Sequence, residues 1–185
     1  MVSKIISETE QKMKKTVAAT GNEFLGIRTG RASASLLHRV VVDYYGTKTP
    51  LNQLATITAP EPQLLVIQPW DKTVLQNIEK AILQSELGLT PSNDGNVIRL
   101  PFPPLNEERR KELVKVVRKI TEEGRIAVRN IRREANEELK NLEKQHELSE
   151  DELRRSEDQI QKLTDNYIAE IDRMLENKEE EIMEV

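Results

Sequence analysis

The chain of 185 residues has no cysteine, only two histidines and few aromatic residues, 3% in all. The absence of cysteine excludes disulfides, thiolate metal ligands and a cysteine nucleophile. With only His38 and His146, a histidine-rich metal centre is excluded too, and we expect neither histidine to be catalytic. No run of about 18 apolar residues occurs, so no membrane span is predicted. The N-terminus lacks the apolar core of a signal peptide, and we expect a cytoplasmic protein.

Sequence signatures of enzymes are also missing. There is no phosphate-binding loop ending in Gly-Lys-Ser/Thr and no Gly-x-Ser-x-Gly elbow. Acidic pairs are frequent, but they fall on polar helix faces without an apolar pocket that would raise a carboxyl pKa. We therefore expect a protein that is not an enzyme and that binds neither a cofactor nor a metal ion.

Proline is confined to the middle of the chain, where all eight prolines lie between Pro50 and Pro104. The flanks show helical periodicity, and the middle has the short apolar runs and turn residues typical of strands. The sequence predicts an α+β fold: an elongated three-helix bundle formed by residues 1–30 and 105–185, with a small β/α/β domain inserted at residues 31–104.

Three long helices are predicted in the flanks. The first covers about residues 3–29. The second covers about residues 106–144 and begins at Asn106, a good N-cap. The third begins at Ser149, which forms a capping box with Glu152. The apolar face expected on the second helix consists of Leu113, Val116, Ile120, Ala127, Ile131, Leu139 and Leu142.

The inserted segment is predicted to contain short strands and one helix. The predicted strands cover residues 36–42, a return strand ending at Pro50, and residues 54–59, 64–68 and 97–100. Asp71 is expected to cap the helix and Gly88 to end it.

Two short connections join the inserted domain to the bundle, at Gly30-Arg31 and at Pro104-Leu105. Two linkers side by side act as a hinge rather than as a free tether. We therefore predict that the small domain swings as a rigid body.

The net charge of −4 conceals a strong segregation of charge. Residues 109–133 contain ten Lys/Arg and three Glu, a local charge of +7. Residues 134–185 contain seven Lys/Arg and eighteen Asp/Glu, a local charge of −11. An acidic chain with one compact basic block is predicted to hold a polyanion at one place rather than to bind polyanions in general.

The basic block forms a stripe on the second helix, within about 100° of its circumference. We call these seven residues the basic stripe: Lys111, Lys115, Arg118, Arg125, Arg129, Arg132 and Arg133. Arginine suits bidentate phosphate contacts and stacking on bases, so the stripe predicts an RNA-binding surface. Arg28 and Arg31 add a smaller cluster near the hinge. Glu122 is an acid inside the stripe and weakens it.

Three features have more than one interpretation. The arginines of the stripe either face RNA or pair with acids on neighbouring helices. The aromatic residues Tyr44, Tyr45 and Trp70 either stack on bases or, as we favour, pack in the core or in turns. Gly124, inside the second helix, permits close approach of RNA or, again favoured, of another helix.

Several short motifs together resemble one protein family. They are residues 27–32 (IRTGRA), 42–46 (VDYYG), 50–55 (PLNQLA), 79–82 (EKAI), 87–89 (LGL), 103–111 (PPLNEERRK), 128–133 (VRNIRR) and 160–165 (IQKLTD). In these motifs, their order and its length, the whole chain resembles the ribosome recycling factors. At Asn106 the family usually has threonine, and both residues cap helices.

The resemblance implies more than the residues alone. It implies an L-shaped, tRNA-like molecule that binds the bacterial ribosome after termination, across the A and P sites of large-subunit RNA. With elongation factor G and GTP hydrolysis on that partner, it would split the ribosome into subunits and free mRNA and tRNA. By the family's pattern Arg129 and Arg132 are the main RNA contacts, supported by Arg28, Arg31 and Arg133. We expect the protein to act as a monomer.

Two other classes of function remain open at this point. One is a helical adaptor or chaperone-type interaction module that binds a protein partner through the acidic third helix. The other is an mRNA- or tRNA-binding protein that acts away from the ribosome, and it predicts tight binding to naked RNA.

Overall fold

The computed structural model describes residues 1–27, 29, 32–85 and 87–184. In chain order its helices and strands are α1 (Val2–Leu25), β1 (Val41–Tyr44), β2 (Thr47–Pro50), β3 (Ala55–Glu61), β4 (Leu64–Pro69), α2 (Leu75–Gln84), β5 (Ser92–Asn93), β6 (Ile98–Pro101), α3 (Glu107–Lys144) and α4 (Glu150–Met183). The fold is α+β, as predicted, with three long helices and a small antiparallel sheet domain.

The predicted caps position the long helices. Asn106 Oδ1 accepts a hydrogen bond from the backbone N–H of Arg109 at 2.7 Å and caps α3. Ser149 and Glu152 form the expected capping box at the start of α4, and the hydrogen bonds from Ser149 hold the pKa of Glu152 below its ordinary value. The first helix ends at Leu25, earlier than predicted, and Gly26 follows it.

The turn between α3 and α4 depends on a residue in the left-handed region. His146 has φ 61°, and its N–H donates to the carbonyl of Glu143 at 2.9 Å. The N–H of Glu147 donates to the carbonyl of Leu142, also at 2.9 Å. These bonds satisfy carbonyls at the end of α3, as in a Schellman motif, and give His146 a structural role.

The described chain divides into two compact units, Met1–Phe24 with Lys111–Val185, and Leu25–Arg110. The first unit is the helical bundle. Its buried apolar residues include two small clusters. One is formed by Ile5, Ala135, Leu139 and Ile160, and the other by Met13, Val17, Val128 and Ile171.

Small polar side chains complete the bundle core. The buried hydroxyls of Thr9, Thr20, Thr121, Ser156 and Thr164 each donate to the carbonyl four residues earlier in their own helix, at 2.7–3.0 Å. They are therefore satisfied without a partner on another helix.

The buried face of α3 differs from the predicted one. Val116 is 46% exposed, whereas Val117 is fully buried, followed by Thr121 and Gly124. The prediction counted only apolar residues, but two positions of the buried face of α3 are a threonine and a glycine. The predicted face is therefore rotated about the helix axis relative to the observed one.

The second unit is built on a four-stranded antiparallel sheet with strand order β3-β4-β6-β5, accompanied by the β1-β2 hairpin. Across its three longer strands Ile57 pairs with Ile67, and Ile67 with Ile98. Helix α2 buries Ile78 and Ile82 in the same core. The predicted helix at Asp71 is present after a short 3₁₀ turn that Asp71 caps.

One predicted strand is wrong in part. Residues 34–37 form a 3₁₀ turn, Ala34–Leu37, capped by Ser33, and the strand begins only at Val41. Leu36 and Leu37 are nevertheless buried, so the run of apolar residues predicted their burial correctly. A short apolar run does not by itself distinguish a strand from a helical turn.

Candidate nucleic-acid interface

The basic stripe flanks the seam between α3 and α4. Its members are exposed except for Arg125, Arg129 and Arg132, which are half-buried. Burial of one line of α3 residues fixes the rotation of the helix and so decides which arginines reach towards α4. The predicted stripe is thus one continuous surface, but its arginines differ in the groups that they contact.

Two arginines of the stripe are bound to carboxylates of α4. Arg118 Nε donates to Glu179 Oε1 at 2.7 Å. Arg125 Nε donates to Asp172 Oδ1 at 2.8 Å, and the Arg125 side chain is only 25% exposed. Such pairs on a protein surface contribute up to about 1 kcal/mol of stability, so they mainly fix the arginine side chains.

Arg125 is the most tightly held member of the stripe. Partial burial alone would lower its guanidinium pKa, but hydrogen bonds and charge from Asp172 and Glu122 outweigh this and raise the pKa. Its Nη1 donates to Glu122 Oε2 at 3.1 Å. Arg125 therefore has both of its charge partners within the protein.

Arg129 has a weaker partner. Its Nη1 donates to Glu122 Oε1 at 3.4 Å, at the long end of the hydrogen-bond range. The side chain of Arg129 is 41% exposed and that of Glu122 is 50% exposed. Solvent therefore reaches both groups, and Arg129 can still take an external anion.

Within the described part of the chain, the guanidinium groups of Arg132 and Arg133 donate hydrogen bonds to neutral oxygens. Arg132 Nη1 donates to Gln161 Oε1 at 3.3 Å, and Arg133 Nη1 donates to Asn130 Oδ1 at 3.4 Å. Among residues that the structure describes, no carboxylate lies within salt-bridge distance of either guanidinium. This end of the stripe carries uncompensated positive charge.

The structure thus separates the two interpretations of the stripe residue by residue. Pairing with internal acids applies to Arg118 and Arg125 and, weakly, to Arg129. It does not apply to Arg132 and Arg133. The sequence did not identify the α4 partners, because they lie 61, 47 and 29 positions away along the chain and only the bundle register brings them together.

The structure does not describe every residue of the predicted site. Arg28, Gly30 and Arg31, predicted as RNA-binding or hinge residues, fall outside the described residues. Pro104 and Leu105, the second predicted hinge connection, lie between β6 and the start of α3.

Gly124 has the structural role that we favoured. A Cβ atom at this position would lie 2.7 Å from Thr20 Oγ1 on α1 and 3.4 Å from Ile171 Cδ1 on α4. Gly124 therefore permits close packing of the three helices, and no RNA contact is needed to explain it.

Of the three aromatic residues, Tyr44 and Tyr45 fit the favoured interpretation of core or turn packing, and Trp70 does not. Trp70 is 69% exposed and donates from Nε1 to Thr56 Oγ1 at 3.2 Å. Tyr45 is 78% exposed in the β1-β2 turn, with φ 49° followed by Gly46 at φ 81°. Only Tyr44 packs partly against the core, and burial raises its pKa first, followed by the charge of Asp71. Trp70 is thus not a core residue.

The structure adds two negative findings for the part of the chain it describes. It contains no group of three or more His, Asp or Glu side chains placed to hold a metal ion. None of its helices combines the length and the apolar character needed to cross a bilayer.

Fold and surface together define an α+β protein with a three-helix bundle, a small antiparallel sheet domain and an arginine-bearing helix face. A family model for the ribosome recycling factor matches residues 20–183. The chain belongs to the ribosome recycling factor family, and so to the translation factors that are not enzymes.

Individual relatives match along the full length. Ribosome-recycling factors of Bacillus pumilus (strain SAFR-032) and Heliobacterium modesticaldum (strain ATCC 51547 / Ice1) are 58% and 60% identical over 185 residues, with both chains fully covered. A solution structure of the ribosome recycling factor matches with a TM-score of 0.85 at 51% identity, covering 100% of this chain and 98% of the other.

A second solved structure places a relative in a larger assembly. It contains models for the T. thermophilus ribosome recycling factor and the E. coli elongation factor G bound to the E. coli post-termination complex. The match has a TM-score of 0.71 and 51% identity, and it covers 99% of each chain.

Proposed function

We propose that this protein recycles ribosomes after translation termination. It binds large-subunit ribosomal RNA across the A and P sites and, with elongation factor G and GTP, splits the post-termination ribosome and frees mRNA and tRNA. It acts as a cytoplasmic monomer. The observation that carries this proposal is the full-length match to ribosome-recycling factors, one of which has been described with elongation factor G on a post-termination complex.

The RNA contact centres on Arg129, Arg132 and Arg133. Among the described residues, the hydrogen-bond partners of Arg132 and Arg133 are neutral amide oxygens at 3.3 and 3.4 Å, so a phosphate would replace weak hydrogen bonds by stronger charge-assisted ones. We place Arg125 at the edge of this contact. RNA can reach its guanidinium only if the carboxylates of Asp172 and Glu122 are kept beside it or displaced from it. Arg28 and Arg31 are assigned to the same surface from the sequence.

The mechanism is mechanical rather than chemical. The arginines fix the bundle on RNA, and elongation factor G moves the small domain about the connections at Gly30-Arg31 and Pro104-Leu105. The long helices of the bundle then transmit this push to contacts between the ribosomal subunits. The protein itself supplies no reacting group, and GTP is hydrolysed on the partner.

The function is tested by subunit splitting. Post-termination ribosomes are mixed with this protein, elongation factor G and GTP, and light scattering is followed. A drop in scattering that requires all three components supports recycling. If the protein neither splits ribosomes nor binds large subunits, the proposal is abandoned in favour of a protein partner for the acidic helix.

Arg132 provides the sharpest test of the RNA contact. Arg132→Ala is expected to weaken binding to large subunits by about 1–3 kcal/mol. It should leave the melting temperature almost unchanged, since the hydrogen bond that its guanidinium donates within the described part of the chain is the long one to Gln161. Affinity is measured by filter binding at fixed salt, and stability by thermal unfolding.

Arg155→Ala is the matched control, because Arg155 is an exposed arginine on α4 outside the basic stripe. It removes the same charge and should cost much less affinity. Equal losses for the two variants would show that net charge, not the stripe, governs binding. A large fall in melting temperature for Arg132→Ala would show that the arginine is structural.

A further inference from the structure

A single acid lies inside the basic stripe and bridges two of its arginines. Glu122 Oε2 accepts from Arg125 Nη1 at 3.1 Å, and Glu122 Oε1 accepts from Arg129 Nη1 at 3.4 Å. Its two oxygens thus serve different guanidinium groups. If Glu122 only reduced the positive charge of the surface, its two carboxylate oxygens would not need to bind two different arginines.

The bridge is anchored at its far end. Arg125 is held by Asp172 of α4 through Nε at 2.8 Å and a second contact from Nη2. The four side chains therefore form an alternating chain of charges, Asp172–Arg125–Glu122–Arg129, which runs from α4 across the seam onto the outer face of α3. Glu122 joins the anchored arginine to the exposed one.

Within the part of the chain described, Glu122 is the only carboxylate within salt-bridge distance of Arg129. A free arginine loses much rotamer freedom when it is immobilised at an interface, and this opposes binding. An arginine that is already restrained by an ordered neighbour loses less. The chain thus restricts Arg129 before any RNA arrives.

We infer that Glu122 is a positioning residue for RNA binding, which holds Arg129 in its binding orientation through the anchor of Arg125 on Asp172. This inference rests on the proposed function, since Arg129 is taken as an RNA contact. Glu122 also places a negative charge beside two arginines, which disfavours polyanions that do not fit the ordered surface.

A positioning role for Glu122 predicts a change in affinity for the ribosomal site opposite to the change that electrostatic attraction alone predicts. Removing the negative charge of Glu122 makes the stripe more positive, so Coulomb attraction alone would tighten binding to every RNA. Positioning instead requires weaker binding to the structured ribosomal site and tighter binding to an unstructured RNA. Measuring both in parallel separates the two effects.

The test compares Glu122→Gln with Glu123→Gln. Glu123 is exposed next to Glu122 on the same helix, and no described residue forms a salt bridge with it. Binding is measured to isolated large subunits and to polyuridylate at one fixed salt concentration. We expect Glu122→Gln to weaken subunit binding roughly 3- to 10-fold and to tighten polyuridylate binding, while Glu123→Gln leaves subunit affinity within about twofold.

A double-mutant cycle tests whether Glu122 acts through Arg129. In an Arg129→Ala background, Glu122→Gln should cause no further loss of subunit binding. Asp172→Asn cuts the chain at its anchor and should produce a smaller loss in the same direction. This second variant keeps the test available if Glu122→Gln folds poorly, which a thermal melt would show.

The possible results distinguish a failure of the positioning role from a failure of the proposed function. Unchanged or tighter subunit binding by Glu122→Gln, or an undiminished loss in the Arg129→Ala background, overturns the positioning role. If Arg129→Ala still weakens binding in that case, the proposed function stands without it. Failure of the wild-type protein to bind large subunits overturns both.

Discussion

The helical bundle and the small domain have very different cores. The small domain buries seventeen side chains in one apolar cluster that unites the sheet, the hairpin and α2. The described part of the bundle has two separate clusters of four buried apolar side chains each, and the buried Phe24, Leu113, Val117 and Ile182 lie outside both. The small domain is thus held by one contiguous core, and the bundle by a narrow seam whose fit depends on small residues.

The difference follows from shape and charge. A long helix with one buried line leaves most of its circumference to solvent, and in this chain that surface carries the segregated charges. The sheet domain encloses its apolar residues between layers and leaves Trp70 and Tyr45 outside. The bundle therefore offers a strongly charged surface, and the small domain exposes two aromatic side chains.

The largest expected effect is in the contiguous core. Ile67 is fully buried at the centre of the sheet, so Ile67→Ala should destabilise the small domain by about 2–5 kcal/mol. Trp70, the only tryptophan, reports this domain by fluorescence, while helical circular dichroism mainly reports the bundle. We expect the fluorescence transition in denaturant to shift and the dichroism transition to stay.

Leu139→Ala in the bundle is the reciprocal change, because Leu139 is also fully buried. It should shift the dichroism transition and spare the fluorescence one. If either variant moved both transitions together, the two cores would unfold as one cooperative unit, and the contrast between them would not extend to stability.

A smaller effect is expected at the bundle seam. Gly124→Ala gains about 1 kcal/mol of helix propensity. The added Cβ, however, would approach Thr20 Oγ1 to 2.7 Å, and overpacking costs about 1–3 kcal/mol. We expect a net loss of stability in thermal unfolding. Because the clash is with Thr20, adding Thr20→Ala should recover part of it, and a more stable Gly124→Ala single variant would show that the seam is not tight.

The smallest effect concerns the turn before β6. Asp94 accepts hydrogen bonds from the backbone N–H groups of Val97 and Asn96 and from Arg99, and these lower its pKa to about 2. A lowered carboxyl pKa stabilises the fold above the unfolded value near 3.9, and this contribution is lost as pH falls towards about 2.

Titration of the Asp94 carboxyl carbon by NMR checks this value directly. A midpoint near 2 is expected, and Arg99→Gln should raise it only part of the way, because the backbone donors remain. A midpoint near the ordinary value of 3.8 in the wild-type protein would mean that the turn does not hold the carboxylate in solution.

Much of the candidate site could be predicted from residue spacing, because α3 is a regular helix. The azimuths of Arg125, Arg129, Arg132 and Arg133 follow from 100° per residue alone. Their charge partners do not, since Asp172 and Gln161 lie on another helix and their register depends on how α3 and α4 pack. The sequence therefore predicted one stripe, while the structure pairs Arg118 and Arg125 with carboxylates of α4 and, among the described residues, gives Arg132 and Arg133 amide oxygens as partners.

Local chemistry was enough to determine the helix starts at Asn106 and Ser149 and, to within a few residues, the strands β3, β4 and β6, because capping and turn preferences act within a few residues. Only the tertiary structure decided that Val117 and not Val116 is buried and that Asp172 of α4 holds Arg125. Both depend on residues distant in the chain, through steric fit at the seam or charge pairing across it, and such contacts exist only once the helices pack.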